Sequence, residues 1–189
     1  MSNNRVLISK GRFREIVATA HEFKQRLPLA TPVDPFAYVP LANARAVTFS
    51  YAREVFEYEF LPSPNPSFTV TARDSGRSMI FHAEVPRPVL NWRIAKELGH
   101  IMLGHINDAN RNVMSRVTAD PERNRLDVES EIFAAAFMVS AEHLVTTDPV
   151  ILANLCGIPE CQAGAILRFL ATNSTGCAAP GSDIFFSMA

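Results

Sequence analysis

The stretch NWRIAKELGHIMLGH, residues 91–105, constrains this chain more than any other. Stepped at about 100° per residue, the surrounding segment 88–103 reads as a helix. Leu90, Ile94, Leu98, Ile101 and Met102 line one side of it, and Val89, Trp92 and Leu103 line the other. A helix apolar on both sides belongs in an interior. Yet Arg93, Lys96, Glu97 and His100 fall within one arc of about 100°. Buried ionisable groups are costly unless paired or metal-bound, so this polar seam requires a partner surface or a pocket.

The spacing is that of a zinc-peptidase helix with one residue changed. In H-E-x-x-H, two imidazoles four residues apart reach one zinc ion, and the glutamate beside the first serves as general base. Glu97 and His100 occupy two of those positions, and Lys96 stands at the first ligand. An ammonium must lose its proton, from a reference pKa of about 10.4, before it can bind a metal. Lysine is scarce here: Lys10, Lys24 and Lys96 stand beside fifteen arginines. The other His-Glu pair, His21–Glu22, has Gln25 where a second histidine would be and reads as the outer face of a first helix.

A second helix, RLDVESEIFAAAFMVS, supplies a carboxylate. Glu129 shares the apolar face with Arg125, Ile132, Phe133 and Ala136, whereas Glu131 falls on the opposite side with Asp127 and Glu142. Glu129 is therefore the inward carboxylate. The expectation is that the Lys96 ammonium, with Arg93 nearby, neutralises Glu129 and Glu97 where a metal would otherwise do so.

The rest of the chain reads as α+β. Residues 9–26 are helical, with Phe13, Ile16, Val17, Ala20 and Phe23 on one face. A short helix is expected at 35–42, opened by Asp34 and a proline. Four short segments rich in aromatic and β-branched residues follow, at 46–51, 55–61, 67–72 and 77–82, and predict a small, mostly antiparallel sheet. Helices are expected at 88–103, 125–144, 148–156 and 159–172, with a polar loop after the first and Gly157 as a break. Residues 1–172 form one domain in this reading, and 173–189 are a poorly patterned tail.

Composition excludes several classes. With 48% hydrophobic and 20% charged residues and a formal net charge of −1, the chain has no basic excess for phosphate backbones. Residues 152–170 look like a helix-turn-helix reader, but their second helix carries Glu160 and Arg168 as its only charges, so direct nucleic-acid binding is not expected. No apolar run is long enough to span a bilayer, and the N-terminus lacks a secretory core, so a cytoplasmic location without membrane contact is expected. Cys156, Cys161 and Cys177 read as free thiols.

The stretches AKELGHIMLGH and ESEIFAAAFMVS together resemble the ImmA/IrrE metallopeptidase family, whose pattern is A-H-E-L-G-H-x-x-L followed by E-x-x-x-F-A-A-x-L-L-M-P. The resemblance covers roughly residues 10–170. It implies a zincin-like fold, a small sheet packed with an active-site helix and several further helices. It also implies Glu97 as general base, His100 and Glu129 as zinc ligands, and Phe133, Ala134 and Ala135 as packing residues. Ser140 stands where the family usually has proline. Members of the family look like cytosolic proteases that cut or relieve helix-turn-helix repressors of mobile elements or stress genes. This chain leaves no room for a fused DNA-binding domain, so such a repressor would be a separately encoded protein.

Lys96 is the departure, because it removes one imidazole and so impairs or abolishes zinc binding. The expected function is therefore a metallopeptidase-like domain, a pseudoenzyme, that binds or acts on a repressor or other regulatory protein. The alternative is an active zinc endopeptidase with altered ligation, using His100, Glu129 and another donor, with Glu97 as base. His105, which would have to swing back after a helix end at Gly104, and His82, at the end of the last strand, are the candidate donors. A purely structural domain is the third reading, and it predicts Lys96 unpaired in solvent.

Overall fold

Chain order already suggests how the elements stack. A computed structural model describes residues 6–28, 30–56, 67–71, 76–106, 121–174 and 184–186. A short strand, β1 (Val6–Ile8), leads into helix α1 (Lys10–Lys24). Ser9 caps α1, its hydroxyl accepting from Arg12 N at 3.2 Å. Ile16, Ala20 and Phe23 point inward, while His21 and Glu22 are exposed, as their periodicity requires. The short helix expected at 35–42 is two 3₁₀ turns, Pro35–Tyr38 and Pro40–Ala42, with Asp34 Oδ1 accepting from Phe36 N at 3.1 Å.

Strand β2 (Ala44–Thr48) runs directly into helix α2 (Phe49–Phe56). The strand expected at 46–51 thus stops early, because the Thr48 hydroxyl accepts from Tyr51 N at 3.1 Å and starts a helix. Of the strand expected at 55–61, Val55 and Phe56 end α2 instead, and 57–61 lie outside the described residues. Strands β3 (Ser67–Thr71) and β4 (Ser78–His82) match expectation closely.

The sheet order is β2-β4-β3. β3 pairs antiparallel with β4, Ser67 opposite His82, whereas β2 pairs parallel with β4, Thr48 opposite His82. The sheet is therefore mixed rather than mostly antiparallel. Parallel neighbours need a long crossover, and the chain between β2 and β4 provides one.

Helix α3 (Arg87–Met102) lies against β3 and crosses helix α4 (Pro121–Met138). The helix expected at 125–144 ends at Met138. Ser140 takes an extended conformation and opens a separate 3₁₀ turn, Ala141–Val145, through a reciprocal capping box with His143. The buried Lys24 reaches the same serine, Nζ donating to Ser140 Oγ. Helices α5 (Pro149–Cys156) and α6 (Glu160–Ser174) follow. They are separated by Gly157, whose φ of +62° is left-handed and favours glycine. Within the segment read as an unpatterned tail, β5 (Ile184–Phe186) pairs antiparallel with β1.

The α+β class holds. One buried cluster joins Ile16 and Phe23 of α1, Ile80 of β4, Leu98 of α3, Phe133 and Phe137 of α4, Leu152 of α5, and Ile158. Gly99 permits the α3–α4 approach, since a Cβ there would meet Phe133 Cβ at 3.1 Å. No single helix among the described residues is long and apolar enough to cross a membrane.

Candidate functional site

The polar seam of α3 meets α4 in antiparallel register. Lys96 faces Glu131, and His100 faces Asp127. Lys96, Glu97 and His100 of the seam find partners from this crossing, from β3 or from the turn that follows α3.

Lys96 Nζ donates to Glu131 Oε1 at 3.0 Å, with both side chains 22% exposed. Burial pulls the ammonium's pKa down, but Glu131 and Asp127 more than compensate and hold it above its ordinary value. The expected pairing of Lys96 with Glu129 and Glu97 is thus not the one observed. The helical wheel placed Glu131 outward because it treats α4 alone; the crossing angle brings Glu131 and Asp127 to the margin of α3.

Glu129 is inward, only 1% exposed, but its cation is Arg12 from α1. Arg12 Nε donates to Glu129 Oε2 at 2.9 Å, and Nη2 donates to the same oxygen. Arg125 Nε stands 3.3 Å from the other oxygen, Oε1, without a hydrogen bond to it. Burial alone would raise the carboxyl pKa; the hydrogen bonds from His105 and Arg12 override it and bring it down to about 2.

Glu97, 6% exposed, is closed off from the opposite side. Ser67 Oγ donates to its Oε1 at 2.9 Å, and Thr69 Oγ1 donates to Oε2. Both hydroxyls come from alternate residues of β3, which the pleat places on the face towards α3.

His100 and His105 are brought together by the end of α3. Gly104 takes a φ of +74°, and His105 N donates to His100 O at 3.0 Å, so the chain doubles back. The imidazoles meet at 3.0 Å, Nδ1 to Nδ1, and His105 Nε2 lies 3.2 Å from Glu129 Oε2. With Nε2–H on His105 donating to Glu129, its Nδ1 accepts from His100 Nδ1–H. His100 Nε2 then faces Asp127 Oδ1 at 3.6 Å. Burial lowers the His105 pKa against the pull of Glu129; burial would raise the pKa of Asp127, but His100 and Lys96 outweigh it and hold that carboxyl below its ordinary value.

The remaining predicted donors stand apart from this chain of contacts. His82 is buried edge-on against Phe36, ring centroids 5.7 Å apart. Arg93 Nη1 is buried without a hydrogen-bond partner among the described residues. Sequence reasoning missed Arg12, Asp127, Ser67 and Thr69. Arg12 had no local signal, and the two β3 hydroxyls could have been found only by asking which strand face meets α3.

A zinc ion does not fit this arrangement. Lys96 is paired with Glu131, Arg12 and His105 occupy Glu129 Oε2, and the His100 nitrogens face His105 and Asp127. Among the described residues no three His, Cys, Asp or Glu side chains converge on one point that could hold a metal. Comparison with known proteins gave no match, either to a family model or to a curated sequence.

Proposed function

We propose that this chain is a zincin-like, ImmA/IrrE-type metallopeptidase domain in which fixed side-chain cations stand where zinc would be. In this reading it acts by binding a regulatory protein, such as a separately encoded helix-turn-helix repressor, and not by hydrolysis. The observation that carries the reading is the Arg12 guanidinium on the Glu129 carboxylate. A guanidinium bound through two nitrogens supplies the positive charge the buried glutamate needs. A divalent ion brought to the same oxygen would meet that charge in a poorly solvated site. Glu97 adds support: with Ser67 and Thr69 donating to its two oxygens, it is a satisfied acceptor and not a base poised over water.

A second reading, zinc held by altered ligation, is favoured by one observation: the turn at Gly104 sets His105 against both His100 and Glu129. It requires Arg12 to release Glu129.

Equilibrium dialysis against zinc, with metal analysis, separates the two. The native chain and Lys96→His are expected to take up substoichiometric zinc, and Lys96→His combined with Arg12→Ala to take up one equivalent. Stoichiometric zinc on the native chain, abolished by His105→Ala, would establish the altered-ligation reading instead.

A further inference from the structure

A second surface lies away from this site. Helix α5 buries Leu152, Ala153 and Cys156, and its outward side carries three large apolar residues beside the exposed Asn154: Val150 is 48% exposed, Ile151 49% and Leu155 39%. On the turn before it, Leu144 is 37% exposed and Val145 86%. A cluster of exposed large apolar residues of this kind on a surface marks an interaction site. Val150, Ile151 and Leu155 span an arc of about 140° over roughly one and a half turns, with Asn154 inside it, a face that suits packing by another helix. The place is distinct: Asn91 Nδ2 donates to Gly157 O at 3.1 Å, fixing the end of α5 to the start of α3. Asn91 precedes His100 by nine residues, a rise of roughly 13 Å along the helix.

Charge discriminates among occupants. Glu142, Asp148 and Glu160 flank the apolar residues in the chain, and all three are exposed. The fixed cation within 139–172 is Arg168, and Lys24 of α1 also acts on Glu142. A two-fold contact with a second copy would set this acidic rim against itself, and an anionic lipid surface would be repelled. We propose that the face formed by 144–155 docks a basic amphipathic helix of a partner protein, leucine-like anchors on the apolar stripe and lysines or arginines on the acidic rim. The proposal stands on exposure and charge alone, so it is independent of whether the site at His100 binds metal.

The test uses two fluorescein-labelled helical peptides with identical leucines at i, i+3, i+4 and i+7, one flanked by lysines and one by glutamates, titrated with the full chain. The lysine peptide is expected to bind at least about tenfold more tightly, and more weakly as salt rises from about 0.05 to about 0.5 M. Ile151→Ser with Leu155→Ser, checked for native circular dichroism, is expected to weaken it on the order of tenfold or more. Glu142→Lys with Glu160→Lys is expected to reverse the preference between peptides; Asp148 is left in place because its Oδ1 caps α5. Arg12→Ala is expected to leave this binding unchanged. Equal binding of both peptides, binding of neither, or unchanged binding by the serine variant would overturn the proposal. So would a dimer in sedimentation velocity, or co-sedimentation with phosphatidylcholine vesicles, that the serine variant abolishes; the face would then belong to a second copy or to a membrane.

Discussion

Arg12 Nε lies 2.9 Å from Glu129 Oε2, across 117 residues of chain. The pair ties α1 to α4 at the edge of the candidate site. Removing Arg12 leaves a carboxylate that is 1% exposed with His105 as its remaining hydrogen-bond donor. Breaking a fully buried pair costs about 3–5 kcal/mol. Because Arg12 keeps 29% exposure, Arg12→Ala is expected to cost roughly 2–3 kcal/mol, read from the urea midpoint. Arg12→Lys should recover only part of this, since an ammonium cannot reproduce the two-nitrogen contact.

Acid should unfold this protein through the same carboxylate. The Glu129 pKa of about 2, against an ordinary 4.5, stabilises the fold fully above pH 4.5. That contribution, ~3 kcal/mol by linkage, is lost as pH falls from 4.5 towards 2. Asp127, also depressed, acts in the same direction, and so does His105, whose lowered pKa makes its protonation oppose the fold below its ordinary 6.5. Stability is therefore expected to decline gently below pH 6.5 and steeply below 4.5 in denaturation series at successive pH values. Glu129→Gln should flatten the steep part; an unchanged slope in that variant would refute the assignment.

The close approach at Gly99 predicts a second loss. A Cβ at that position would stand 3.1 Å from Phe133 Cβ, an atom fixed to the backbone of α4. Gly99→Ala should destabilise by about 1–3 kcal/mol through overpacking, despite the higher helix propensity of alanine. Thermal melts should show the drop.

Thr69 tests the closure of Glu97. Thr69→Val keeps the shape of β3 but takes a donor from a carboxylate that is 6% exposed. The expected cost is about 1–3 kcal/mol, smaller in the double variant with Glu97→Gln than the sum of the single changes. Simple additivity in that double-mutant cycle would show that the hydroxyl contributes nothing through Glu97.

Much of this architecture was legible because it depends on local periodicity. The inward face of α1, the burial of α3, the break at Gly157 and the inward turn of Glu129 all follow from a 3.6-residue repeat and from capping chemistry. Other parts were not legible. β5 is three residues whose partner, β1, stands at the far end of the chain. Whether β2 runs parallel to β4 depends on how the intervening chain crosses the sheet. The stop at Met138 rests on the Ser140 hydroxyl and the His143 imidazole each accepting from the other residue's backbone N–H, a pattern that a continuous apolar periodicity conceals.

The seam Arg93-Lys96-Glu97-His100 and the inward Glu129 were determined by the sequence alone, because a helix fixes which of its own residues share a face. Which cation meets which carboxylate was decided by tertiary structure. That choice depends on how α3 crosses α4, on α1 delivering Arg12, on β3 presenting Ser67 and Thr69, and on the turn at Gly104 returning His105. Charges pair with whatever lies within a few ångströms, and distance in space is set by packing between elements and not by position along one of them.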